Sequence, residues 1–363
     1  MTKKKSNKKG TNKISKRVKK TNKRISTRNN TNKTKENSIE LINLKFKLNI
    51  RQYKLKEESE IILNNIFAVF TLHKDKKAYI AFINENSIDI DIIELLNNKK
   101  IKSLKGHERP LNILQYFINS KNTNKEYIIS IDFANSLIIW DINNNYNIVH
   151  KILEIENRFL IDCLLYFPLS TKDDYIIRTI YDGEDECSKL YSFKTGLFIK
   201  NIEADCANMK TVLPWYNKKE KKDFIIQIAE EKIFINNIFE DGIYSELDES
   251  IYNFDGFIYN KNVKDYLCVS NRFGEIIIWD LYDKKLVRRF KIGNFCCFLL
   301  NWNNCYAIGI RNGLKIIDLE KGKVVEEIKN KIINAQRCQH PEYGNSLIAW
   351  DKKNISLWEC NYN

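Results

Sequence analysis

Residues 268–291, CVSNRFGEIIIWDLYDKKLVRRFK, decide the fold. Ile276, Ile277 and Ile278 run into Trp279-Asp280, with polar breaks at 271–274 before the run and 282–284 after it. Short β-branched runs bounded by Asn, Asp and Gly predict strands joined by tight turns. The pattern returns at 126–153, EYIISIDFANSLIIWDINNNYNIVHKIL, which carries Trp140-Asp141. A unit that recurs this way buries its apolar faces against its own neighbours.

The third strand of each unit reads IDIDIIEL (88–95), SLIIWD (136–141), KLYSF (189–193), KIFINNI (232–238), EIIIWD (275–280), LKIIDL (314–319) and ISLWE (355–359). The Trp or its equivalent falls at Ile93, Trp140, Tyr191, Asn237, Trp279, Ile317 and Trp358, in steps of 47, 51, 46, 42, 38 and 41 residues. Seven such units predict an all-β chain, a single propeller of seven four-stranded blades.

The chain resembles the WD40-repeat family over roughly residues 50–360. The resemblance rests on Gly106-His107 with Trp140-Asp141, on Trp279-Asp280, and on the partial forms Asp318 and Trp358-Glu359. Gly196 and Gly322 follow in the turns. It implies a buried hydrogen-bonded set of that His, a tight-turn Asp, a strand Ser or Thr and the Trp. The set is expected to be incomplete, because the tight-turn position falls on Ala134 before Trp140 and on Phe273 before Trp279; near Trp358, Asp351 serves. The resemblance also implies ring closure by an N-terminal strand lying outermost in the last blade. That strand is expected at 53–58, within 45–60, ahead of the first inner strand at 66–72.

The formal charge of +14 is confined to one end: residues 1–38 hold fifteen Lys or Arg and one acid, Glu36, and the remainder is neutral. A Lys-, Asn-, Ser- and Thr-rich segment buries too little surface to offset its ordering entropy. Residues 1–40 are therefore read as a disordered basic tail, and 41–363 as the propeller. Lys3, Lys4, Lys5, Lys8, Lys9, Lys16, Arg17, Lys19, Lys20, Lys23 and Arg24 suit a polyanion-binding arm or a nuclear or nucleolar address. A solubilising tail, and a mitochondrial presequence with Ile14, Val18 and Ile25 on one helical face, are the other readings.

No catalytic motif, no ligand-spaced metal cluster and no cofactor fingerprint is found, so neither an enzyme nor a cofactor is expected. The nine Cys include no C-x-x-C pair and fit reduced buried thiols. No apolar run reaches the ~18 residues of a membrane span. Asp89 and Asp91, and the turn at 182–186, are read as loop carboxylates; the three repeat tryptophans are read as core.

Loop charge separates by face. The second-to-third and fourth-to-first connections carry Asp182, Glu184, Asp185, Glu186, Glu230, Glu231, Asp248 and Glu249, a docking rim for a basic segment of a partner protein. The opposite face carries Lys218, Lys219, Lys221 and Lys222 among other lysines. The expected function is a non-catalytic scaffold binding protein partners in a multi-subunit assembly. A nuclear or nucleolar ribonucleoprotein complex, with the tail on RNA, is preferred. A cytoplasmic or cytoskeletal scaffold comes second, and a propeller enzyme or small-ligand binder using the central channel third.

Overall fold

In the computed structural model these apolar runs become the middle strands of seven antiparallel four-stranded sheets. The structure describes residues 42–52 and 67–362, apart from 84–87, 154–158, 182–185, 203–208, 241, 248–251, 294–297, 304, 312, 330, 341, 343 and 352–353. Blades one to six are consecutive: 67–104, 111–152, 159–202, 209–247, 253–291 and 298–328. Blade seven joins Asn334–His340, Gly344–Trp350 and Asn354–Tyr362 to Ile42–Gln52, its outer strand. Inner strands of neighbouring blades lie side by side, and that of blade seven lies beside that of blade one. The result is a closed seven-bladed β-propeller.

The core is a set of layers between blades. Seven apolar clusters each join two neighbouring blades around the ring. A middle strand is therefore packed on both faces, which is why Glu126–Asp132 is buried at every position and reads as an apolar run without alternation. Pro214 is tolerated because it lies on an inner strand, whose channel side has no ladder bond to lose.

One irregularity repeats in every blade. The outer strand carries an extra residue opposite the third strand, so the pairing slips at Ile93, Trp140, Tyr191, Asn236, Trp279, Ile317 and Trp358. Six of these are the residues from which the period was read. Blade four is corrected by one: its third strand ends at Asn236, and Asn237 already lies in the turn, its Oδ1 accepting the Phe239 N–H at 3.0 Å.

The closing strand is also corrected. It is Ile42–Gln52, pairing antiparallel with Asn354–Tyr362, and residues 53–58 lie outside the described residues. The alternation in INLKFKLNI supplies a strand signal that 53–58 lacks. The tail 1–40 likewise lies outside the described residues.

Inner-strand side chains stitch neighbouring blades together. Asp162 Oδ2 of blade three accepts the Val212 N–H of blade four at 3.3 Å. Asp255 Oδ2 of blade five accepts the Leu299 N–H of blade six at 2.8 Å. Gln336 of blade seven accepts the Val69 N–H at 2.9 Å and donates to Phe67 O at 2.7 Å, across the seam with blade one.

Asp255 is hemmed in by protein, and burial pushes its carboxyl up to about 7, against the two backbone N–H groups it accepts and with help from nearby Asp162. Burial raises Asp162 as well. A folded-state value above the ordinary 3.8 means that the folded state favours the protonated acid. This contribution is complete below the ordinary value and is lost as pH rises through about 7. Asp255→Asn keeps an acceptor for Leu299 but carries no charge. Its melting temperature is expected to exceed that of the parent at about pH 8 and to match it only at about pH 3, below the ordinary carboxyl value. Parallel melting curves at both values would contradict this.

Candidate docking sites on the two loop faces

The hydrogen-bonded set expected to be incomplete is whole in blade two. Trp140 Nε1–H donates to Ser130 Oγ at 2.7 Å, and Ser130 Oγ lies 2.7 Å from His107 Nε2. His107 Nδ1 meets Asp132 Oδ2 at 3.0 Å, and Asp132 Oδ1 accepts the Ala134 and Ser136 N–H groups at 2.9 Å each. The tight-turn position is therefore Asp132, two residues before Ala134. The carboxylate sits at the end of the second strand and caps the turn from there. Gly106 precedes His107 because a Cβ there would stand 3.1 Å from Ile138 and 3.3 Å from Trp140.

Burial holds the His107 imidazole below its usual range, against the opposing pull of Asp132. A neutral ring with its proton on Nδ1 satisfies every partner. Ser, His and Asp in this order resemble a hydrolase relay. Ser130 is wholly buried, however, and its Oγ already accepts the Trp140 N–H, so no substrate can reach it. The set is structural.

Cross-strand register identifies the same positions elsewhere. Blade five places Val269 for Ser130 and Asn271 for Asp132, so Trp279 Nε1 is buried without a partner. Asn271 still caps its turn, accepting the Phe273 and Glu275 N–H groups at 3.0 Å, which corrects the assignment to Phe273. Blade seven places Ala349 for Ser130, opposite Ser356, whose Oγ accepts the Trp358 Nε1–H at 2.9 Å, and keeps Asp351, which accepts the Asn354 N–H at 2.7 Å. Trp140, Trp279 and Trp358 are all buried, as core residues should be. The acids that follow, Asp141 and Asp280, hold the next turn: Asp141 accepts the Asn144 N–H at 3.1 Å and Asp280 the Tyr282 N–H at 3.0 Å.

On the face of the second-to-third and fourth-to-first connections, blades four and five build an aromatic corner. Tyr252 and Phe273 are 44% and 50% exposed, and their rings meet edge to face at 5.3 Å. Tyr252 takes φ 56°, a costly conformation for an aromatic residue, and is held by the Arg272 N–H donating to its carbonyl at 2.9 Å. The Arg272 guanidinium pairs with Glu230 at 3.0 Å, and Glu230 O accepts the Asn253 N–H at 2.8 Å.

Of the expected acidic rim, Glu230 and Glu231 lie at this corner. Glu230 is mostly buried and is also 3.7 Å from Lys210, so its charge is balanced by the chain's own cations; Glu231 is exposed. Asp182, Glu184, Asp185, Asp248 and Glu249 lie outside the described residues, and Glu186 opens a strand whose first side chains are not described. The aromatic pair and Arg272 escaped the sequence reading, because each is a single residue in a polar turn.

On the opposite face Lys218, Lys219 and Lys221 lie in the turn before Lys222, which begins a strand. Lys222 pairs with Glu240 at 2.7 Å, and Lys219 Nζ sits 4.7 Å above the Tyr282 ring. Lys264 spans Asp280 and Asp283 at 2.6 and 2.9 Å, and Lys121 meets Asp174 at 2.6 Å. Much of the positive charge on this face is thus matched locally. Lys3 to Arg24 lie outside the described residues.

Asp89 and Asp91 take separate cations, Lys105 at 3.9 Å and Lys100 at 2.6 Å. Cys163, Cys268, Cys305 and Cys338 are free thiols; burial pushes Cys163 and Cys338 up to about 12, so neither is a nucleophile near neutrality. Among the described residues there is no group of three or more His, Cys, Asp or Glu placed to hold a metal ion, and no helix long and apolar enough to cross a membrane. No family model matches the chain, and neither does any curated protein.

Proposed function

We propose that this protein is a non-catalytic WD40-type scaffold that docks a protein partner at the blade four–five corner. The WD40 assignment is supported by the intact His107–Asp132–Ser130–Trp140 set with Gly106 beside it. The docking assignment is carried by the Tyr252–Phe273 pair. Two large rings exposed together, on a strained backbone held by an arginine, have the makeup of a binding hot spot. The partner segment covers the two rings, and Glu231 favours a basic flank on it.

The RNA reading keeps one support. The first strand of the body begins at Ile42, opposite Tyr362, on the side of the third-to-fourth-strand turns, where Lys218, Lys219, Lys221 and Lys222 also lie. The sequence ahead of that strand, residues 1–38, holds fifteen Lys or Arg and one acid. In this reading Lys3 to Arg24 make the phosphate contacts, the folded lysines contribute little, and the assembly is a nuclear or nucleolar ribonucleoprotein.

The test is affinity purification of the full chain and of Tyr252→Ser/Phe273→Ser from the native cell. The double variant removes two exposed rings and is expected to fold as the parent does. Partners present in stoichiometric amount should fall about tenfold or more, the loss of one hot spot. Unchanged recovery would sink the assignment.

A further inference from the structure

Four of the seven outer strands carry a lysine at one register position, where blade three carries a leucine. The pair next to the register slip sets an outer-strand lysine against an acid in four blades: Lys99 and Glu94, Lys285 and Asp280, Lys323 and Asp318, Lys45 and Glu359; in blade two Asn147 faces Asp141. Lysines in such places keep a sheet edge from pairing with other chains. Blade three has Leu197 there, 68% exposed, its carbonyl accepting the Ser192 N–H at 2.9 Å. Phe198 and Ile199 follow, 52% and 46% exposed. Residues 188–202 contain Lys189, Lys194 and Lys200 and no acid.

We infer that this rim of blade three, Leu197, Phe198 and Ile199 between Lys194 and Lys200, docks an amphipathic helix of a partner protein whose apolar stripe is flanked by Asp or Glu. The site is separate from the Tyr252–Phe273 corner and does not depend on it. Three points select the occupant. The extra residue of this blade is Ile199, where pairing slips between Leu190 and Tyr191, and a bulge disrupts the ladder that an added strand would need. A helix needs side-chain contact alone. Lys194 stands exposed beside these side chains, so a second copy of the chain would set lysine against lysine across a symmetric contact, whereas carboxylates complement it. The Phe198 ring is anchored edge-on to Tyr191 at 5.8 Å, which makes the patch a fixed surface rather than a projecting loop that inserts into a bilayer.

The test uses the full chain and a fluorescein-labelled, helix-forming peptide with a Leu stripe flanked by Glu. A Lys-flanked twin and vesicles of phosphatidylserine and phosphatidylcholine are the comparison probes. Leu197→Lys restores the residue that four other blades carry, so it is expected to fold with an unchanged melting temperature; Phe198→Ser is the second variant. Fluorescence anisotropy should show the Glu peptide bound, with each variant weakening it about tenfold. The Lys twin should not bind, and hydrogen exchange should slow at residues 197–201 on binding. Four results overturn the inference: no binding of the Glu peptide, equal binding by the variants, equal binding of the Lys twin, or vesicle binding that requires Leu197. Sedimentation as a dimer that Leu197→Lys dissociates would assign the patch to a second copy instead.

Discussion

Removing residues 1–52 is expected to abolish soluble, folded protein, while removing 1–38 leaves the melting temperature nearly unchanged. The longer cut deletes an eleven-residue strand that pairs along Asn354–Tyr362. Blade seven would then have three strands, with the third exposed as a bare edge. That edge includes Ile355, Leu357 and Trp358, buried in the intact ring. An unpaired apolar edge promotes aggregation, and no other described strand is free to cover it. The shorter cut stops before the strand begins. Circular dichroism and size-exclusion chromatography of the two truncations decide the matter: a monomeric, cooperatively melting 53–363 chain would show that the ring does not depend on this strand. The same 1–38 deletion serves the RNA reading, which expects salt-sensitive RNA retention in the full chain and its loss in the truncation.

His107→Ala is expected to cost roughly 1–3 kcal/mol, because it removes the side-chain hydrogen-bond partner of a buried carboxylate. Asp132 would lose its side-chain partner while remaining buried, and the Ser130 hydroxyl would lose the imidazole it reaches. The Asp132→Ala/His107→Ala double variant should cost less than the sum of the two single changes, since the orphaned charge is removed with its partner. Chemical denaturation measures both. A loss of under about 1 kcal/mol for His107→Ala would mean that water replaces the imidazole and that the set is not a stabilising unit.

The fold was legible in the sequence because its period is physical. Each blade buries the same positions between neighbours, so the apolar third strands return at Ile93, Trp140, Tyr191, Trp279, Ile317 and Trp358, where the structure slips register. Blade four blurred by one residue because two asparagines adjoin at 236 and 237. The Asp132 assignment failed for a different reason. Counting back from the tryptophan assumes a turn length, whereas the cap lies on the second strand and only cross-strand register shows it. The Tyr252–Phe273 corner left no periodic signal at all. It needs two turns, twenty-one positions apart, brought together by the blade.

The docking claim is met most directly by placing a photo-crosslinking residue at Phe273 and, separately, at Lys218, and irradiating intact cells. Phe273 lies at the aromatic corner and Lys218 in a turn on the opposite face. The account predicts a discrete protein adduct from position 273 that disappears when Tyr252 is changed to Ser, and none from position 218. No adduct at 273, or the same adduct from both positions, would contradict it.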